Sequence, residues 1–280
     1  VAQQQGACKA ATNRTCSEVK VANVLIPIPS RDFDPTEVAV SWSVLRRLGH
    51  SVVFATPDGR MGRADDLMLT GEGLDLWGFI PGLRRLTAAG LVRRGNFDGL
   101  LLPGGHRARG MREYLESEIL QKVVSEFFAA GLPVAAICHG VLLAARSRAV
   151  DGQHSVLLGR RTTALTWALE RKGWTAGRIF RFWDPNYYRT YDDGPGKPAG
   201  YMSVQQEVTR ALARPEDFLD VPTDAPDYRR KTGGMVRDTW DDDRAAFVVR
   251  DGNYVSARWP GDAHTFARRV AEVLAERCSR

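Results

Sequence analysis

Four cysteines in 280 residues are too few for a disulfide framework, and none stands with His at the close spacing of a structural zinc site. Free thiols are the default expectation. Cys8 and Cys16 as a pair, like the formal glycosylation acceptor Asn13-Arg14-Thr15, would need an oxidising compartment. No run reaches the roughly 18 uninterrupted apolar residues of a membrane span, which predicts a soluble protein with no membrane partner. Residues 1–10 hold no apolar signal core, so a cytoplasmic protein is expected, with removal of a signal ahead of Val1 left open. Lysine is scarce: six of the 39 basic residues. The rest is Arg in scattered pairs, such as Arg46-Arg47, Arg93-Arg94, Arg160-Arg161 and Arg268-Arg269, among 33 acids. With no basic stripe and no interleaved aromatics, the net charge of +6 marks solvated faces and no nucleic-acid partner. Gly-x-Gly-x-x-Gly after a strand and Gly-Lys-Ser/Thr are both missing, so no nucleotide or other cofactor is indicated.

What is present is ordinary globular composition, 44% hydrophobic and 26% charged. Residues 1–20 read as a flexible polar arm, and 21–280 as one domain with insertions near 60–96 and 173–245. Short apolar runs at Val21–Pro29, Ser51–Ala55, Leu100–Leu102 and Val134–Ile137 read as buried parallel strands. Between them lie helical patterns: one opening near Glu37, a short one near Leu83–Leu91, and one amphipathic helix over Met111–Ala130. Alternating strand and helix predicts an α/β fold, a mostly parallel central sheet covered on both faces, with ligands at the strands' C-terminal ends. Val204–Leu212 reads as a short helix, Pro222–Asp243 as irregular, Phe247–Ser256 as a hairpin and Asp262–Glu276 as the closing helix.

Pro133–Gly140, Pro-Val-Ala-Ala-Ile-Cys-His-Gly, organises the chain. A strand ends at Cys138 where a helix begins, the geometry of a nucleophile elbow. Small residues at Ala136 and Gly140 let strand and helix approach closely, and the helix N-terminus together with a nearby carboxylate or imidazole would favour a thiolate. The bland alternative is a buried small hydrophobe. A glutamine amidotransferase would need a downstream His-x-Glu, and none occurs. Pro103-Gly104-Gly105-His106 follows another strand, so the N–H groups of Gly105 and His139 are candidate oxyanion donors, with Gly104 and His106 beside them. Asp34, Pro35 and Glu37 form a capping-box signature, which leaves Glu37 either a helix cap or a catalytic acid. His139 is either a packed helix-start residue or a partner of the thiol. Trp183–Tyr191 packs aromatics and an Arg into a Pro/Gly-bounded loop, with Tyr188, Arg189 and Tyr191 as candidate substrate contacts in a lid, or else an ordinary surface loop.

Four stretches in order resemble the ThiJ/PfpI superfamily: Glu37–Gly49, Leu101–His106, the Cys138 elbow and Asp251–Gly261. The resemblance implies the class I glutamine amidotransferase-like fold, a flavodoxin-like three-layer α/β/α sandwich, and a homodimer. It implies Cys138 as nucleophile, Glu37 as general acid/base, and His139 acting with the thiol and an orienting acid that the sequence does not identify, Asp184, Asp192 and Asp193 of the later insertion or a carboxylate of a second subunit being open to the role. The chain departs from some relatives at Arg160–Leu165, where Ala164 and Leu165 stand near a strand end that carries a His elsewhere. The expected activity is attack of Cys138 on a small electrophile: a 2-oxoaldehyde (glyoxalase), an isonitrile (hydratase) or a small amide (hydrolase). The alternative is a non-catalytic redox sensor or chaperone in which Cys138 is oxidised.

Overall fold

The structure is a computed structural model that describes residues 21–70, 97–180 and 182–278. Its centre is a six-stranded sheet. The strands are β1 (Asn23–Pro27), β3 (Ser51–Ala55), β5 (Gly99–Leu102), β6 (Val134–Ile137), β7 (Val248–Asp251) and β8 (Tyr254–Ala257), in the order β3-β1-β5-β6-β8-β7. All pairs are parallel except β7 with β8, a hairpin with Asp251 opposite Tyr254 and Gly252 at φ 59° in its turn. Two short strands, β2 (Arg31–Phe33) and β4 (Arg63–Ala64), pair beside it.

The apolar runs become strands because both their faces are covered. Leu25, Leu100, Leu102, Val134 and Ala136 pack on one side with Met111, Val124, Val141 and Val208. Those partners belong to α3 (Ala108–Leu115), α4 (Glu118–Ala129), α5 (His139–Arg146) and α7 (Val204–Ala211). The alternate residues Val24, Ile26, Leu101, Ala135 and Ile137 pack on the other side against Val38, Leu45, Phe266, Val270 and Leu274 of α1 (Pro35–Arg47) and α9 (Ala263–Cys278). The period of two in each strand thus fills two separate cores, giving the three-layer α/β/α arrangement. The other α-helices among the described residues are α2 (Asp66–Thr70), α6 (Trp167–Phe180) and α8 (Tyr228–Thr232).

Two expectations differ in detail. The single helix over Met111–Ala130 is two, because Glu116 closes α3 and the Ser117 hydroxyl accepts the Leu120 N–H to start α4. The irregular stretch Pro222–Asp243 contains α8. The helix expected near Leu83–Leu91 and the arm at 1–20 lie outside the described residues.

Candidate active site

At the C-terminal end of β6 the backbone turns at Cys138 with φ 56° and ψ −123°, and α5 starts one residue later. A residue with a Cβ in this region carries strain of about 1–3 kcal/mol and persists only where its surroundings over-determine it. Here the Cys138 N–H donates to Ala257 O of β8, and Gly140 lets α5 lie directly on β5: a Cβ at Gly140 would come 2.0 Å from Leu102 O. The thiol is 1% exposed, and the His139 N–H donates to it. This setting works against the expected thiolate. Burial pushes the Cys138 thiol well up, and the neighbouring carboxyls of Glu37 and Asp34 add to it.

Glu37 resolves its two readings by where its side chain goes. Asp34 Oδ1 alone caps α1, accepting the N–H groups of Thr36 and Glu37. The reciprocal half of a capping box is not formed, since the Asp34 N–H is spent on Gly104 O at 2.9 Å. The Glu37 carboxyl instead turns inward, where Oε2 accepts the Gly104 N–H at 2.6 Å and the side chain hydrogen-bonds to Cys138. It is fully buried, and burial with the adjacent Asp34 raises its pKa well above the ordinary carboxyl value, which favours the protonated acid. Gly104 is the seat of this contact: a Cβ there would stand 2.7 Å from His139 N and 3.0 Å from Cys138 Cβ.

His139, 2% exposed, flanks the thiol with Nδ1 3.5 Å from Sγ. Burial, with the charges of His106 and Arg146, lowers its pKa to about 3, so the imidazole is neutral. Its other nitrogen, Nε2, pairs with Thr190 Oγ1 at 2.9 Å. The place foreseen for an orienting acid is therefore taken by a buried hydroxyl. Of the three candidate acids, Asp193 binds Arg189 and the N–H groups of Gly200 and Met202, Asp184 stands half-buried 3.8 Å from Arg107, and Asp192 is exposed.

The structure brings Glu37, Gly104, Cys138 and His139 together, with His106 and Tyr188 at the cavity wall. His106 Nδ1 lies 3.5 Å from Asp34 Oδ2, and its ring meets Tyr188 edge-on at 5.2 Å. Gly105 packs instead beneath Asp32, as a bridge partner of Phe33 that ties β2 to the Gly-Gly turn. Arg189 and Tyr191 do not line the cavity. The Arg189 guanidinium is buried between Glu170 and Asp193, and the Tyr191 hydroxyl bonds Glu116 and Arg146. Both fasten the 183–191 loop to the helices, and that fastening is what places Thr190 on the imidazole.

Above the thiol opens a cavity of about 270 Å³. Its walls are largely apolar, with Met68, Leu165, Leu169, Ala176, Met235 and Trp259 among them, and Lys172 and Arg237 are the cations on its lining. Arg237 is near enough to Glu37 to draw its pKa partly back down.

A protein-family model for the DJ-1/PfpI family matches residues 22–170, a span holding Glu37, the Gly-Gly turn and the Cys138 elbow. The chain belongs to the DJ-1/PfpI family. Glyoxalase III of Candida albicans is similar over 90% of this chain and 97% of its own, at 17% identity and TM-score 0.59. Rapid Encystment Protein 24 kDa of Francisella tularensis is similar over 91% and 99%, at 15% identity and TM-score 0.58. DJ-1beta of Drosophila melanogaster is similar over 91% of each chain, at 18% identity and TM-score 0.52. At such identities the likeness is one of fold. No curated protein matched the chain.

In this DJ-1/PfpI family member, Thr190, Trp259 and Arg237 are the site residues that sequence reasoning passed over. Thr190 sits between two residues that were singled out, but a lone Thr in a loop carries no pattern. Trp259 follows β8 at the sheet edge where ligands gather, a placement the strand assignment alone could have flagged.

Proposed function

We propose that the chain is an enzyme in which Cys138 adds covalently to a small electrophilic carbon, and that a 2-oxoaldehyde converted to a 2-hydroxy acid is the substrate class its groups serve best. One observation carries this reading: a buried thiol on a strained elbow stands between a protonated carboxyl and a neutral imidazole at the base of a cavity. All three groups rest uncharged, so an acid and a base are ready on either side of one sulfur. In the tautomer with the proton on Nε2, donated to Thr190 Oγ1, Nδ1 of His139 presents its lone pair to the thiol.

The steps then balance without a cofactor. The thiol proton passes to His139 as sulfur bonds the aldehyde carbon, and the Glu37 proton goes to the aldehyde oxygen, giving a hemithioacetal. Glu37, now a carboxylate, removes the hydrogen at C1 while His139 protonates the oxygen at C2. The enediol collapses to a thioester as Glu37 returns the proton to C2 and His139 takes the C1 hydroxyl proton. Water then cleaves the thioester, its hydroxyl going to the acyl carbon and its proton to Glu37, while His139 reprotonates the sulfur. A glyoxalase III among proteins of the same fold supports this choice. Burial of Cys138 speaks against the redox-sensing reading, since peroxide oxidation needs the thiolate that this environment disfavours.

The test is steady-state turnover of methylglyoxal, phenylglyoxal, an alkyl isonitrile and simple amides by wild type and Cys138→Ser. Formation of a 2-hydroxy acid by wild type alone supports the reading. Turnover of none, or turnover that survives Cys138→Ser, overturns it.

A further inference from the structure

A methyl-substituted 2-oxoaldehyde would leave a good part of the space above Cys138 unused. At about 30 Å³ per water-sized share, the ≈ 270 Å³ cavity has room for roughly nine such units, whereas methylglyoxal has only five heavy atoms. Apart from the charged groups of Glu170, Lys172 and Arg237, the lining away from the thiol is mainly Met68, Leu169, Ala176, Tyr188, Met235 and Trp259. Water against such walls finds few partners, and an apolar group that displaces it gains free energy. Part of this wall rests on two glycines of α6. A Cβ on Gly173 would meet the Tyr188 ring at 3.4 Å and one on Gly177 at 3.2 Å, so the bare helix face is what lets the ring lie against it. Two methionines and a tryptophan add a polarizable surface suited to a flat or branched apolar group.

Resting on the reading above, we propose that the substrate carries a bulky apolar substituent, of aryl or branched-alkyl size, on the carbonyl next to the carbon that Cys138 attacks. The substituent lies between α6 and the Trp259 and Met235 wall, and its fit sets specificity. A single methylene in an apolar pocket discriminates by about 10-fold or more, so a ring in place of a methyl group should raise kcat/KM by at least about 10-fold.

The experiment separates this inference from the enzyme reading by using two readouts. The first is the rate of Cys138 alkylation by N-benzylmaleimide against N-methylmaleimide. It is followed by peptide mapping, so that the other cysteines are excluded, and normalised to the same ratio for a free thiol. The second is kcat/KM for phenylglyoxal against methylglyoxal. Ala176→Leu, which adds volume with little loss of helix propensity, and Met235→Trp are compared with wild type, with thermal melts to show that each is folded. A normalised benzyl-to-methyl ratio of about 10 or more in wild type, falling toward one in the filled variants, is the expected result, with the turnover ratio moving in parallel. A wild-type ratio near one, or a high ratio that both variants retain, overturns the inference. A high maleimide ratio with no turnover of either oxoaldehyde upholds the apolar site and refutes the enzyme reading.

Discussion

Replacing Thr190 by Val keeps the shape of a 4% exposed side chain and deletes one atom's chemistry, the hydroxyl 2.9 Å from His139 Nε2. In the proposed resting state that hydroxyl accepts the Nε2 proton and leaves Nδ1 basic toward Sγ, 3.5 Å away. Without it, a buried Nε2–H has no acceptor, a cost of about 1–3 kcal/mol. The imidazole escapes that cost by moving its proton to Nδ1, where it faces sulfur and cannot act as a base. The base-competent tautomer then loses the full 1–3 kcal/mol, or roughly 5- to 140-fold in rate at about 1.4 kcal/mol per tenfold. Global stability falls by less, because the tautomer shift relieves it. The assay is the second-order rate of Cys138 alkylation by iodoacetamide across pH 6 to 9, together with turnover and thermal unfolding, for Thr190→Val, Thr190→Ser and His139→Gln. Thr190→Val should approach His139→Gln in rate, with Thr190→Ser restored to near wild type. A Thr190→Val rate within about twofold of wild type, with His139→Gln strongly impaired, refutes Thr190 as the positioning residue.

Glu37→Gln keeps an oxygen for the Gly104 N–H but has no proton to give, so turnover should fall by about 10²- to 10⁴-fold with little change in melting temperature. Equal activity in the two proteins would remove Glu37 from the chemistry. Asp238, buried on the N–H groups of His264 and Thr265 at the start of α9, has its pKa raised to about 7, chiefly by burial. The folded state therefore holds a proton that the unfolded state releases near pH 4. The contribution is full below that pH, is lost as pH rises through about 7, and amounts to at most about 4 kcal/mol. Asp238→Asn should melt progressively higher relative to wild type between pH 4.5 and 8, and a pH-independent difference would contradict the raised pKa. Arg258, fully buried, forks onto Asp262 with a shortest contact of 2.7 Å. Arg258→Met leaves that carboxylate buried without its counter-ion, held only by the N–H groups of Phe247 and residue 258, which should cost about 3–5 kcal/mol in urea unfolding. A loss under 1 kcal/mol would show that water reaches Asp262.

The fold was legible wherever local sequence and tertiary demand agree. Val24-Leu25-Ile26, Leu100-Leu101-Leu102 and Val134–Ile137 are apolar on both faces because helices cover both faces, and Asp34 caps α1 as its chemistry requires. The elbow was legible because a strand, a Cys and a Gly-bearing helix follow one another directly. Glu37 was legible only as a choice, since the same spacing serves a cap and an acid. The donor that settles it, Gly104, is 67 residues away. Arg189 and Tyr191 look like ligand contacts in a loop, but their partners Glu170, Arg146 and Glu116 lie on other elements that the chain order does not place beside them. The resting thiolate was inferred from a helix N-terminus, and burial, which no short motif encodes, outweighs it. The break between α3 and α4 turns on one hydroxyl, Ser117, inside an otherwise continuous amphipathic pattern.

The most direct test of the central claim is rapid-quench intact-protein mass spectrometry of wild type during turnover of phenylglyoxal, with the modified peptide sequenced. A substrate-mass adduct on Cys138 that forms and decays at rates no slower than turnover, and that is missing in Cys138→Ser, is the predicted result. Turnover with Cys138 unmodified throughout, or an adduct that forms more slowly than product, would contradict the account.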